Sequence, residues 1–372
     1  MADISESKPH IFVVIENFLR KEALSGFLLF GAALLAMALA NSPWAESYFN
    51  LLHTSVGLAI GERTITMNLG HWVNDGLMAL FFLVIGLEIK RELMVGELSS
   101  LQQAAFPIAG AAGGMIVPVI FYIAVNLQCG GQPSGFGIPM ATDIAFALGF
   151  LLLLGDRVPL SLKVFLTSLA VFDDLGAIIV IAVFYTGSLH LAALGYAAIA
   201  LGALIALNRF GVKKLWPYLI LGVALWLCVE ESGIHATIAG VLLALTIPVR
   251  ARIDSKKFLK ICHSELTTFD ETEINRKDMV LTSEQQDSLE ALEDAYEAVQ
   301  NPLVRLEHFL HPISAFFIMP LFALANAGVQ ISGVGSSFFS PVSLGVLAGL
   351  VLGKPLGIAG ATIVLMILCE PG

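Results

Sequence analysis

Long apolar segments recur along almost the whole of this 372-residue chain, and each is about as long as a membrane-spanning helix. Hydrophobic residues make up 57% of the sequence and charged residues only 13%, against about 25% charged in soluble domains. The sequence therefore predicts an all-α polytopic membrane protein, with a single transmembrane domain over residues 1–372. About ten spans are expected, at 24–40, 72–89, 105–125, 138–154, 164–186, 190–207, 214–229, 233–248, 309–330 and 341–368.

The basic residues predict how these spans are oriented. Short cytoplasmic loops retain Lys and Arg, and 18 of the 20 basic residues fall on one side of the expected layout. The exceptions are Arg63, on the opposite side, and Lys354, inside the last span. We therefore expect a cytoplasmic N-terminus and, if there are ten spans, a cytoplasmic C-terminus.

Two segments lie outside the expected spans. Residues 41–70 are expected to form an outside loop. After Gly61, the alternation of residue types and the Thr and Ile content predict a short hairpin strand, which either pairs with another subunit or has no partner. Residues 251–304 hold 12 acidic and 6 basic residues, and Ser283–Val299 has apolar residues at helical spacing. We expect an acidic cytoplasmic loop with an amphipathic helix, which is either a partner site or simply solvated.

Composition also limits the partners and cofactors. The four cysteines are isolated, with neither a disulfide framework nor a metal-binding spacing. We expect no cofactor and no nucleic acid, and membrane lipid as the surrounding partner.

Asp173 and Asp174 lie in the middle of the apolar run 164–185. A charged side chain at the centre of a span costs about 2.5–3.5 kcal/mol on insertion scales, and acids there usually mark an ion or proton route. The alternative is a pair of structural carboxylates kept protonated or hydrogen-bonded. Adjacent helical positions diverge by about 100°, so the two side chains can face different partners.

A third acid, Asp143, follows a segment that is poorly suited to a continuous helix. Gly135, Gly137 and Pro139 precede Thr142 and Asp143, which predicts a broken transmembrane helix near residues 135–145. Irregular backbone at membrane depth occurs where it lines a cavity or is buried in protein. The alternative is a kinked helix start near the outer interface.

Lys354 is the one basic residue inside an expected span. Its mid-span position makes it a counter-charge for an aspartate, although a lysine can also extend its ammonium group to the membrane surface.

Further titratable residues lie near the expected inner face. The second span and its exit carry Asp75, Glu88, Arg91 and Glu92, and the ninth span is entered through Glu307, His308 and His311. Such a set can respond to cytoplasmic pH, but interfacial charge is also common without function. His235, at the outer start of the eighth span, is a further candidate beside a plain capping role.

At these residues the chain resembles the NhaA family of bacterial sodium/proton antiporters. The matching motifs appear in family order at 73–75, 86–93, 141–147, 172–178, 232–237, 305–312, 321–328 and 353–357. The resemblance implies an electrogenic antiporter of the bacterial inner membrane, which expels sodium or lithium and takes up more protons than it exports cations.

The resemblance also implies roles for individual residues. Asp174 and Asp173 would bind the cation and protons, with Asp173 the partner of Lys354, and Thr142 and Asp143 would lie beside that site. The pH response would involve Glu88, Glu307 and His308, with an influence of His235. A homodimer would form through the outside hairpin at 61–68.

Members of this family have twelve spans built around an inverted repeat, whereas ten are expected here. The resemblance therefore leads us to expect an incomplete repeat, in which the broken fourth helix lacks its crossing partner. Two alternatives to antiport follow. One is a remnant that does not transport; the other is an intramembrane aspartyl protease, whose Tyr-Asp and Gly-x-Gly-Asp motifs are both missing from the sequence.

Overall fold

The computed structural model describes residues 10–60, 63–96, 101–128, 130–141, 157–185, 189–251, 253–271, 281–331 and 339–369. The described segments are almost entirely helical. The single-piece helices are α1 His10–Ala40, α2 Ala45–His53, α4 Leu101–Gln128, α5 Leu160–Phe184, α6 Leu191–Arg209, α7 Trp216–Glu231, α8 Thr237–Thr246, α9 Ser255–Glu271 and α10 Ser283–Val299. A 3₁₀ helix, Pro133–Met140, follows α4.

Three further helices each contain a π-helical segment. Helix α3 comprises Leu69–His71, π-helical Trp72–Leu77 and Met78–Val95; α11 comprises Pro302–Ile313, π-helical Ser314–Ile318 and Met319–Asn326; and α12 comprises Pro341–Ala348, π-helical Gly349–Gly353 and Lys354–Cys369. π-Helical segments are rare in proteins, and those that occur are often found at functional sites.

Six helical segments among the described residues are long and apolar enough to cross a membrane: Leu69–Met94, Ala104–Gln128, Val164–Phe184, Leu191–Arg209, Pro302–Asn326 and Pro341–Leu368. A seventh forms if Leu24–Ala40 and Ala45–His53, which are bent by 113°, are one span. Helices α7 and α8 coincide with expected spans but have only 16 and 10 residues. The all-α membrane architecture is thus confirmed, whereas the count of ten spans stays a prediction.

The segment 41–70, predicted to be an outside loop, contains a β-hairpin. The strand expected after Gly61 is present as β2 (Arg63–Asn68), and it pairs antiparallel with β1 (Ser55–Ile60), which was not predicted. The register runs from Ser55 opposite Asn68 to Ile60 opposite Arg63. Asn68 then caps α3, since its side-chain oxygen accepts a hydrogen bond from the His71 amide.

The acidic loop contains two helices rather than one. The expected helix Ser283–Val299 is present as α10 and begins with a capping box between Thr282 and Gln285. It packs against α9, which the sequence pattern did not indicate. The apolar spacing was a poor guide to its packed face, because Leu289 and Tyr296 are exposed. The buried residues are the smaller or polar Gln285, Ser288 and Ala295.

Two helix groups form the membrane part. In the first, α3 packs tightly on α8, where a Cβ atom added to Gly86 would lie 2.7 Å from the Ala244 Cβ. Helices α6, α7 and α11 complete this first group. Its apolar core includes Leu83 of α3, Leu204 of α6, Leu225 of α7 and Leu303 of α11. The second group consists of α4, α5, α12 and the 3₁₀ helix. A smaller apolar cluster joins the groups, with Ile85 and Ile89 of α3 against Val171 and Ile178 of α5.

A glycine at every fourth position brings α12 close to α4 and the 3₁₀ helix. Cβ atoms added to Gly349 and Gly353 would lie 2.8 Å from the Pro139 Cβ and 2.7 Å from the Pro118 Cα. Cβ atoms added to Gly345 and Gly357 would overlap α4 as well. Small residues at this spacing let helix backbones approach closely in membranes, so the glycines set the position of α12 next to α4.

Gly357→Ala should therefore destabilise the protein, because the new methyl group would overlap the Gly113 carbonyl oxygen. Overpacking of this kind costs about 1–3 kcal/mol. The melting temperature of the purified protein in detergent measures the effect. Gly360→Ala is the matched control, since nothing lies within 4 Å of the added Cβ; equal melting temperatures for the two variants would contradict the packing argument.

Candidate functional site

The second helix group encloses a buried ion pair between α5 and α12. Lys354 Nζ lies 2.9 Å from Asp173 Oδ2, and the two residues are only 9% and 2% exposed. Lys354 begins the α-helical part of α12, directly after the π-helical segment. The counter-charge arrangement expected from the sequence is therefore present in the structure.

A third element completes the surroundings of Lys354. Its ammonium group also donates a hydrogen bond to the Met140 carbonyl oxygen, at the end of the 3₁₀ helix. The ammonium group is thus held by a carboxylate and by a backbone dipole. Burial of a charged group is tolerated when such partners replace water.

Two tyrosines fix the 3₁₀ helix relative to α4 and α5. The Tyr122 hydroxyl donates to the Gln132 carbonyl oxygen at 2.7 Å, and the Tyr185 hydroxyl donates to the Ser134 carbonyl oxygen at 2.7 Å. Tyr185 also accepts a hydrogen bond from the Gly137 amide at 3.0 Å. Neither tyrosine was predicted as part of the site, because nothing in their sequence neighbourhoods marks the distant carbonyl groups that they bind.

The break expected near residues 135–145 begins within the described residues. Pro133–Met140 is 3₁₀-helical rather than α-helical, and Ala141 is extended, with φ −63° and ψ 141°. Thr142 and Asp143 lie outside the described residues. Their expected place beside the aspartate pair therefore stays a prediction.

The two aspartates have different surroundings. Asp173 is buried, whereas Asp174 is only partly buried. This difference follows from the angular separation of adjacent residues on a helix. It leaves Asp174 the more accessible of the two carboxylates.

A second charged group lies near the end of α3. Arg91 Nε is 3.0 Å from both carboxylate oxygens of Glu307, and Arg91 Nη1 is 2.8 Å from a Glu92 oxygen. Glu307 is 8% exposed. Glu88 and His311 interact electrostatically with this set, and His308 with Glu307. Six of the expected titratable residues are thus brought together, and we call them the Arg91 group: Glu88, Arg91, Glu92, Glu307, His308 and His311.

Asp75 and His235 do not belong to the Arg91 group. Asp75 was expected to lie with these residues near the inner face, and that expectation was wrong. Asp75 lies 16 residues before Arg91 on the same helical span, or about 24 Å along the axis. It contacts His71 instead, and its charge interacts with those of Glu230 and His235. The span is long enough to place its two ends at opposite membrane faces.

Lys90 links α3 to the end of α8. Its ammonium group donates to the Ala244, Leu245 and Ile247 carbonyl oxygens. A cation is stabilised at the C-terminal end of a helix, where carbonyl groups lack helical partners. The contact was not predicted, because sequence alone does not show that a lysine at a span exit faces a neighbouring helix.

A buried charge pair within the membrane part and a second charged group at the end of a span, both held by packed helices, are typical of a multi-pass membrane transporter. The model of the family described as Na+/H+ antiporter 1 matches residues 16–369. The chain belongs to this family.

Similar proteins match over most of the chain. An Na+/H+ antiporter NhaA of Wolinella succinogenes is 53% identical over 360 residues, covering 97% of this chain and 79% of the relative. An NhaA of Helicobacter pylori is 52% identical, covering 96% and 80%. An NhaA 1 of Aliarcobacter butzleri is 51% identical, covering 94% and 80%. The range that the family model matches, residues 16–369, includes both charged groups.

Arg91→Ala should destabilise the protein more than Arg305→Ala. Removing Arg91 leaves the buried Glu307 carboxylate without its guanidinium partner, and breaking a buried pair costs about 3–5 kcal/mol. Because the Arg91 side chain is 34% exposed, we expect about half of that, read as a lower melting temperature.

Arg305 is the matched control, because its pair with Glu297 at 2.7 Å has both side chains 38% exposed. Exposed pairs contribute about 0–1 kcal/mol. Equal melting temperatures for the two variants would show that the Arg91 pair does not support the fold.

Proposed function

We propose that this protein exchanges sodium or lithium for protons across the bacterial inner membrane, with Asp173 and Asp174 as the shared binding site. The observation that carries the proposal is the buried pair of Lys354 and Asp173, which any proton or cation entering the site must disturb. Membership of the family and the relatives' names as Na+/H+ antiporters support the same activity.

The exchange works by competition for carboxylates. A proton on Asp173 removes its negative charge and so breaks the ion pair with Lys354, whose ammonium group still donates to the Met140 carbonyl oxygen. A sodium ion bound at Asp174 requires ionised carboxylates instead. Each occupant therefore excludes the other, and differential binding to the two open states drives the exchange.

The more accessible Asp174 is the direct cation ligand, and Asp173 is the proton-sensitive partner of Lys354. In this proposal Thr142 and Asp143 also contribute to the site, as the family resemblance implies, and in sequence they closely follow the 3₁₀ helix that ends at Met140. The family resemblance implies that more protons are taken up than cations are exported, and two adjacent carboxylates offer more than one place for a proton. Exchange is then electrogenic.

The Arg91 group supplies the pH response. Its carboxylates Glu88 and Glu307 both interact with the Arg91 guanidinium, and the imidazole of His308 interacts with Glu307, so a change of charge on either carboxylate alters the electrostatic balance of the whole group. Ile85 and Ile89, on the same helix, pack against α5 close to the aspartate pair. The two sites are thus mechanically connected. His235 acts from the other end of α3, through Asp75.

The protein acts as a homodimer in this proposal. The dimer contact is the hairpin segment at 61–68, because strand β2 (Arg63–Asn68) has only β1 as a neighbour in the described sheet and so leaves an edge for a second copy. Membrane lipid surrounds the dimer, and no cofactor takes part.

Asp174→Asn should abolish transport while leaving the fold intact, because the amide keeps the shape of the side chain but not its charge. The measurement is sodium-driven dequenching of a pH-sensitive dye in everted vesicles. Glu290→Gln is the matched control, since Glu290 is an exposed acid of α10, outside the membrane part.

The control should transport like the unmodified protein, and both variants should elute as one species in size-exclusion chromatography. An unchanged dequenching signal for Asp174→Asn would contradict the assigned role. The same assay with valinomycin and potassium tests electrogenicity, because collapsing the membrane potential should alter the rate only if net charge moves.

A further inference from the structure

Three ligating side chains converge at the end of α3 that is remote from the Arg91 group. His71 Nε2 lies 2.7 Å from Glu230 Oε1 and 3.4 Å from Asp75 Oδ2. One ligand atom from each residue lies within 4.8 Å of the other two. Within the described ranges, this is the one set of three or more His, Cys, Asp or Glu residues with such spacing.

The three residues come from different structural segments that are fixed independently of the cluster. His71 ends the first α-helical turn of α3, Asp75 lies in the π-helical segment, and Glu230 lies near the end of α7. Trp226 of α7 donates from Nε1 to the Asp75 carbonyl oxygen at 3.1 Å, and its ring centroid lies 5.9 Å from that of Trp72. These contacts hold α3 and α7 together, so the three side chains are arranged before any ligand arrives.

The donor set matches the chemistry of a divalent transition metal. A neutral imidazole and two carboxylates are typical ligands of Zn²⁺, with a fourth position left for water. Two carboxylates also carry a charge that a divalent cation neutralises. A site of isolated carboxylates would not favour such a metal, whereas the imidazole does.

The distances are close to those that a metal would require. Ligand atoms about 2.0–2.2 Å from a tetrahedral Zn²⁺ lie about 3.3 Å from one another. The 3.4 Å between His71 Nε2 and Asp75 Oδ2 already matches this ligand–ligand separation. The 2.7 Å between His71 Nε2 and Glu230 Oε1 would have to increase slightly when a metal binds. The Glu230 side chain is 18% exposed and can rotate.

The cluster is accessible without being fully solvated. The His71 side chain is 46% exposed and the Asp75 and Glu230 side chains are each 18% exposed. An ion can therefore enter past His71, and the two carboxylates are shielded enough for their charge to act strongly on it.

We propose that His71, Asp75 and Glu230 bind a divalent transition metal ion of the Zn²⁺ class, which ties α3 to the end of α7. The site lies at the membrane face opposite the Arg91 group, which is the outside face in the predicted orientation. The proposal does not depend on the role of the aspartate pair.

The test is isothermal titration calorimetry with zinc chloride on the full chain, purified in detergent without a histidine tag and dialysed against a chelator. We expect one Zn²⁺ per chain and a higher melting temperature on binding. His71→Ala and Glu230→Gln should each weaken binding at least about tenfold, and the melting temperature should no longer respond to zinc. Glu230→His replaces one ligand by another and should retain binding.

His53→Ala is the matched control, because His53 is an exposed histidine of α2 whose ring bonds only the Phe49 carbonyl oxygen among the described contacts. It should bind zinc like the unmodified protein. No saturable heat from the unmodified chain, or equal affinity in His71→Ala, would overturn the proposal and leave the cluster as an ion-paired link between helices.

Discussion

The buried contact between Lys354 and Asp173 is the interaction on which the arrangement of the second helix group depends. Two opposite charges at membrane depth are stable when each is the partner of the other, because the ion pair then replaces the water that would otherwise solvate them. The geometry that permits this is set by residues without charge. The glycines of α12 bring its backbone against α4, and the 3₁₀ helix then presents the Met140 carbonyl oxygen to the ammonium group.

Irregular backbone lies on both sides of the contact between Lys354 and Asp173. A π-helical segment directly precedes Lys354, and a 3₁₀ helix ends at Met140. Both depart from regular α-helix where the charged groups meet, and both are supported by close packing or by tyrosine hydrogen bonds. Local irregularity at membrane depth is tolerated because protein groups replace the missing hydrogen bonds.

Helix α3 connects the charged groups of the molecule. One end carries Arg91 and Lys90, which bind Glu307 and the end of α8, and the other carries the contacts of Asp75. Its middle packs on α5 through Ile85 and Ile89. In the proposed function, a change of charge at either end would be transmitted to the aspartate pair through this one helix.

Much of this could be predicted from the sequence, and the failures have physical reasons. Hydropathy located the six long spans found among the described residues. The cost of burying charge marked Asp173, Asp174 and Lys354, whereas the pairing of Asp173 with Lys354 was implied by the family resemblance. Hydropathy does not report which faces of two helices meet, so the contacts of Tyr122 and Tyr185 were missed. Asp75 was grouped with Arg91 because both lie on one span, although the helical rise separates them by about 24 Å.

The central claim is that sodium and protons compete for the carboxylates of Asp173 and Asp174, the first of which pairs with Lys354. The most direct measurement is proton release on adding sodium to the purified protein in weakly buffered detergent solution, followed with a pH indicator. The unmodified protein should release protons on sodium addition at a pH where the site is protonated, and the double variant Asp173→Asn and Asp174→Asn should release none. Sodium binding without proton release by the unmodified protein would contradict the account.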